Sequence, residues 1–363
     1  MSETPHAIPR STLRTVLCAL ATLVASGCQD VAAPLAPDVP DQPLGAANTS
    51  GPLAVVSVEG LQPYPGTGLN YGRAFGVNDA GLVVGESVVG PAPGQLHAMV
   101  WEGGFFPTDL GTLGGTFSSA KAINNSSTIV GMAAVANGEF HAAMWVKIDG
   151  TWQIFDLGTL EGGTTAGASA ISDDGTVVGS GDTPTGPHGF MWRNGVMTDI
   201  GPTVGQAQGV NDFGQVVGVG DPAANHAVLW SETGGLTDLM VTGQASDING
   251  SGEVAGYTVP PSSPSSSAFL WTPQKGRRAL GTLGGSVSYA NAIDRTGVIV
   301  GSSENAAGER RAFAWSKGKM LDLGLLPGYT GSVATAINDA NKVVGISETG
   351  NAGEYRATVW TLK

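Results

Sequence analysis

Residues 120–145 read AKAINNSSTIVGMAAVANGEFHAAMW, and this stretch decides the fold because it recurs. A run of small residues ends in Ile123-Asn124, a turn follows, Ile129-Val130-Gly131 opens a second apolar run, and a variable loop leads to a third that closes on Trp145. Seven copies can be aligned. Their turn residues are Asn78, Asn124, Ser172, Asn211, Asn249, Asp294 and Asn338, followed in the second runs by Gly85, Gly131, Gly179, Gly218, Gly256, Gly301 and Gly345. Trp101, Trp145, Trp192, Trp230, Trp271, Trp315 and Trp360 close them. Neighbouring turn residues stand 38 to 48 positions apart. A period of roughly 40 to 50 residues made of short β-runs marks propeller blades.

Each copy divides into four predicted strands, which in the first are Arg73–Val77, Leu82–Glu86, Leu96–Trp101 and Phe105–Gly111. Small residues crowd strand one, as in Ala168-Ser169-Ala170-Ile171, which suits the strand nearest a central axis. The seventh copy stops at Trp360-Thr361-Leu362-Lys363 without a counterpart of Asp109-Leu110-Gly111, Asp156-Leu157-Gly158 or Asp322-Leu323-Gly324. The β-rich segment Leu53–Gly60 stands ahead of the first copy and supplies the missing strand, covering a sheet edge that would otherwise invite aggregation. The expected architecture is all-β: a single seven-bladed β-propeller of four-stranded antiparallel blades over residues 53–363, its last blade closed by the N-terminal strand. An open array of the same units would explain neither the truncated copy nor the leading strand.

Composition agrees, since 363 residues with 56 Gly and 13% charged side chains suit short strands and tight turns. The formal charge of −13 excludes the basic footprint of a nucleic-acid binder and electrostatic attachment to an anionic membrane. In residues 1–27, Arg10 and Arg14 precede the apolar run Val16–Val24, the layout of a secretory signal peptide and too short to span a bilayer. Ala25-Ser26-Gly27 before Cys28 resembles the lipobox of bacterial lipoproteins, which implies Cys28 as a lipid-attachment residue; cleavage after Val31-Ala32-Ala33 is the alternative. The protein is therefore expected to be exported, touching a membrane only through such an anchor or being secreted outright. Cys18 and Cys28 are the two cysteines, so the repeats carry no disulfide. Residues 28–52 are Pro/Ala-rich and read as an extended tether.

The strings Ala120-Lys121-Ala122-Ile123-Asn124, Gly175-Thr176-Val177-Val178-Gly179, Ser267-Ala268-Phe269-Leu270-Trp271 and Asp156-Leu157-Gly158-Thr159-Leu160 resemble the bacterial extracellular HAF repeat family. The resemblance covers residues 53–363. It implies exported proteins with β-propeller-like repeats and no generally assigned activity, and it carries over no catalytic residue. The His-Ala-Phe element is matched in part: His97, His141, His188 and His226 occupy a position filled later by Ser267, Arg311 and Arg356.

Those histidines read as polar packing residues, because each stands four before the Trp and replacement by Ser or Arg would not preserve a metal site. The Asn-Asp-x-Gly segments read as tight turns needing left-handed backbone, not as calcium cages, so calcium has no support and no cofactor is expected. Connections from strand two to strand three and from strand four to the next strand one emerge together. The former are the variable ones, and function concentrates on such loops. Their carboxylates Glu139, Asp182, Asp221, Glu304, Glu309, Glu348 and Glu354 are the candidate ligand-binding residues. Asp109, Asp156, Asp199, Asp238 and Asp322 recur as parts of strand four, and Lys275, Arg277 and Arg278 form the one conspicuous unrepeated cluster, on the opposite face. The expectation is a monomeric binding module for an extracellular protein or glycan, without catalytic residues. The alternative is a carbohydrate-active enzyme, glycosidase or lyase, using two loop carboxylates about 5 to 9 Å apart.

Overall fold

The computed structural model describes residues 52–363 apart from 68–69, 91–93, 104–105, 221–224, 260–264 and 352–353. The leader, Cys28 and the tether up to residue 51 lie outside the described residues. Among the described residues the fold is all-β, the one helical element being a 3₁₀ turn at Pro202–Val204, and no helix is long and apolar enough to cross a membrane.

Strands pair antiparallel in six sheets, five of four strands and one of seven. The first repeat forms Gly72–Val77, Val83–Val89, Gln95–Trp101 and Thr108–Asp109, so its fourth strand is two residues long. The seven-stranded sheet arises because one 14-residue strand, Gly235–Ile248, serves two repeats. Its first half pairs with His226–Ser231 and its second half with Val254–Thr258. Val55–Gly60 pairs with Tyr355–Leu362, through Val58 opposite Trp360 and Glu59 opposite Val359. The strand order there is Val55–Gly60, Tyr355–Leu362, Lys342–Glu348, Gly331–Ile337, so the chain's first strand completes its last repeat.

A bulge interrupts strand one of every repeat, at Phe75, Lys121, Ser169, Gln208, Ser246, Asn291 and Thr335. It presses a strand-one carbonyl onto the glycine of the Val-Val-Gly run: a Cβ on Gly131 would stand 2.0 Å from the Ser119 oxygen, and one on Gly301 1.9 Å from that of Tyr289. Close approach of backbone is thus why glycine recurs there.

Apolar clusters lie between consecutive repeats. Trp145 packs on Val84, Ala98 and Val100 of the first repeat, and Trp360 on Val300, Ala312 and Ala314 of the sixth. Ala74, Met99 and Trp101 of the first repeat share a cluster with Val344 and Ala357 of the seventh. The Trp145 indole also donates to the Leu110 carbonyl at 2.9 Å, satisfying its one polar group inside the cluster.

Candidate functional site

Strand-one ends from all seven repeats converge on one axial cavity of about 510 Å³. It opens on the face of the short Asn-Asp-x-Gly turns, not on the variable-loop face. An apolar collar of Val77, Ile123, Ile171, Val210, Ile248, Ile293 and Ile337 lines it beneath the ring of turn residues. Each Asn of that ring works at both ends. Asn124 Oδ1 accepts from Thr128 N at 2.9 Å within its own turn, while Nδ2 donates to the Ser172 carbonyl of the next repeat at 3.1 Å. Asn78 donates likewise to Asn124 O, Asn211 to Asn249 O and Asn249 to Asp294 O. Asn338 donates to Asn78 O at 2.8 Å, linking the last repeat to the first. The turn position three residues on has φ between 61° and 85° in every repeat and is Gly in five, Ser127 and Asn341 in two.

A second row of bonds joins the residues that follow. Asp79 N donates to Asn125 Oδ1, Asn125 N to Asp173 Oδ1, Asp173 N to Asp212 Oδ1, and Asp339 N to Asp79 Oδ1, at 2.8–2.9 Å. Asp339 takes the Arg295 ion pair as well. These carboxylates face a cavity, yet their hydrogen bonds run from repeat to repeat, which makes the rim a latch. Among the described residues no group of three or more His, Cys, Asp or Glu is placed to hold a metal ion.

The recurring histidines and aspartates belong together. Nδ1 of His97, His141, His188 and His226 lies 2.7–2.9 Å from Asp109, Asp156, Asp199 and Asp238 of the same repeat. The same aspartates accept the backbone N–H two residues on, as Asp109 does from Gly111 and Asp156 from Gly158, both at 2.8 Å. Burial pushes the Asp109 carboxyl up, but the His97 and Gly111 donors outweigh it and hold the group below its usual range. The histidine therefore braces an Asp that pins a turn, rather than bonding the turn directly. Thr185 Oγ1 stands 3.2 Å from His188 Nε2, which completes a hydroxyl–imidazole–carboxylate line. Recurrence of the same pair in three other repeats marks it as structural.

The described members of the predicted loop carboxylates each have a partner, some in their own loop and some in the neighbouring connection or strand. Asp182 accepts from the backbone and hydroxyls of Thr164 and Thr165. Glu304 accepts from Ser286 N and Oγ, and Glu139 from Asn137. Glu309 takes Arg311 and Asn305, and Glu354 takes Thr349 and Asn351. Glu348 pairs with Arg310 at 3.7 Å, and Arg310 stands opposite Glu304 in the strand register. Asp221 lies outside the described residues.

One polar cluster escapes sequence inspection. Arg73 occupies a register position held elsewhere by Ser119, Gly167, Gln206, Gln244, Tyr289 and Val333, and Glu86 one held by Met132, Ser180, Val219, Tyr257, Ser302 and Ile346. Glu86 is 3% exposed and accepts from Arg73 at 3.1 Å, Tyr71 at 3.3 Å and Ser119 of the second repeat at 2.7 Å. The Arg73 guanidinium lies 4.9 Å from the ring centre of Tyr355 in the seventh repeat, and Tyr355 meets Tyr71 edge-on at 5.5 Å. Burial and the neighbouring Glu86 carboxylate push the Tyr71 phenol up to about 12. The detectable signal was departure from the repeat pattern, visible only after the bulge sets the register.

No family model and no curated protein matches the chain. Solved structures do. The β-propeller domain of the trilobed protease from Pyrococcus furiosus aligns with a TM-score of 0.53 at 12% identity, covering 80% of this chain and 95% of that one. An oligogalacturonate lyase in complex with manganese aligns at 0.51 and 11% identity, covering 86% and 98%. TolB from Acinetobacter baumannii aligns at 0.44 and 12% identity over 77% of this chain and 63% of its own, so the chain spans less than two thirds of that protein. These likenesses show a β-propeller type of fold and nothing about activity.

Proposed function

We propose that the seven repeats are the blades of one closed propeller, exported behind a leader and held at the cell envelope through Cys28, which binds an extracellular protein or glycan on its variable-loop face. Closure is supported by the Asn338–Asn78 bond, by the cluster shared between the seventh and first repeats, and by the strand that Val55–Gly60 lends to the last repeat. The resemblance to HAF repeats supports export. The observation that carries the binding role is the Tyr71–Arg73–Glu86–Tyr355 cluster. Tyr71 directly precedes strand one and Tyr355 opens strand three, so both sit at the loop end of their blades, where polar side chains replace the repeat's neutral ones.

Catalysis by the loop carboxylates is the weaker alternative. A glycosidase needs one carboxyl raised to act as an acid. Backbone donation from Thr165 instead holds Asp182 low, as Ser286 does for Glu304, Arg311 for Glu309 and Thr349 for Glu354.

The test is a glycan array run beside a cell-envelope pull-down with the purified protein, Tyr355→Ala, and Glu232→Ala on the opposite face. Saturable capture weakened by Tyr355→Ala alone, with no product released, is expected. Release of a cleaved glycan, or capture insensitive to Tyr355, would sink the proposal. In cells, Cys28→Ser should move the protein from the membrane to the soluble fraction.

A further inference from the structure

The inner edge between the first two repeats holds more positive than negative charge. Glu86 is the buried carboxylate there, and its oxygens already serve Arg73, Tyr71 and Ser119. Lys121, at the bulge of the second repeat, makes no hydrogen bond or ion pair to a described residue; its ammonium lies over the Phe75 ring at 4.1 Å. Burial lowers its pKa, opposed by the nearby Glu86 charge and reinforced by Arg73. Arg73 Nε is also buried without a hydrogen-bond partner among the described residues. Two cations therefore share one carboxylate in a half-buried position, and a buried cation lacking a counter-charge is costly unless something supplies the missing anion.

We propose that Lys121 and Arg73 form a seat for the carboxylate of an acidic saccharide. The inference rests on the binding role of the loop face and names its ligand class. One surplus positive charge accommodates one acid group. The chain's net charge of −13 repels a polyanion, so the acid is a terminal one on an otherwise neutral sugar. The half-buried rings of Tyr71 and Tyr355, 5.7 and 4.9 Å from the Arg73 guanidinium, add the apolar surface against which a sugar ring packs.

Calorimetric titration of the full-length protein with glucuronate, glucose and acetate tests this. Glucuronate should bind at least about tenfold more tightly than glucose or acetate, because an ion pair and sugar contacts act together. Lys121→Met should lose about tenfold in glucuronate affinity and keep or raise the ligand-free melting temperature, whereas Lys121→Arg should retain binding. Equal affinity for glucuronate and glucose in the unaltered protein overturns the proposal without needing any variant to fold. So does wild-type affinity in Lys121→Met, or in Lys121→Gln should the Met variant not fold. Acetate binding as tightly as glucuronate overturns the saccharide class and points to a carboxylate such as a peptide terminus. Neutral glycans captured on the array with glucuronate ignored would leave the binding role standing and end this inference; capture of nothing would end both.

Discussion

At the scale of single residues, the repeat's Asn is required because it accepts and donates at once. Ser172 and Asp294 show what is lost by substitution: each still accepts from its own turn, from Thr176 N at 3.2 Å and Val298 N at 2.8 Å, but neither has an amide to reach the next repeat. Asn124→Asp should keep the turn, lose the bond to Ser172 O and place a charge at a site 5% exposed, costing about 1 to 3 kcal/mol in urea denaturation. An unchanged midpoint would refute the latch. Asp247 stands where the other repeats have Gly or Ala, and burial lifts it from 3.8 to about 6 although Ile293 N and Ile248 N donate to it. With the folded pKa above the unfolded one, its contribution to stability is complete below pH 3.8 and lost as pH rises through about 6. Asp247→Asn should flatten that fall in a pH series of thermal melts.

At the scale of elements, the bulge and the Val-Val-Gly strand specify each other. Gly131→Ala drives a methyl into the Ser119 carbonyl, so the strand must shift; a loss of about 2 kcal/mol or more is expected, against a few tenths for Ala at an exposed turn. The His–Asp pairs join strands three and four of one blade. Removing His141 or Asp156 should cost about 1 kcal/mol each, and the double variant less than their sum, a coupling readable in a double-mutant cycle. Strict additivity would mean that the histidine braces nothing. Sequence spacing placed His97 and its counterparts correctly in packing, but their Asp partners lie 11 to 15 residues away and were visible only as a separate recurring motif.

For the whole molecule, the strand at residues 55–60 decides whether the last sheet ends in an open edge. Deleting the chain through Gly60 uncovers Tyr355–Leu362 and removes Leu53, Val55 and Val58 from the cluster around Trp360. A lower melting temperature and concentration-dependent association in size-exclusion chromatography should follow. A truncated protein equally stable and no more associated than the full chain would show that the first strand adds nothing to the last sheet.

Period, strand composition and turn chemistry were enough to place the repeats, the strand-one interior and the exchange of strands between termini, because these follow from local rules repeated seven times. Repetition suppresses chance. The candidate site was less legible for the same reason: Arg73, Glu86 and Lys121 are single departures scattered over 49 positions, and nothing local says that they meet. Nor were the partners of the acidic loops legible: Asp182 and Glu304 find donors in the neighbouring connection, a partnership set by how strand four returns to strand one. What the chain alone determined is its unit and the number of copies. Which carboxylates are satisfied, and which cation makes no hydrogen bond to a described residue, was decided when neighbouring repeats packed and brought distant side chains within hydrogen-bonding reach.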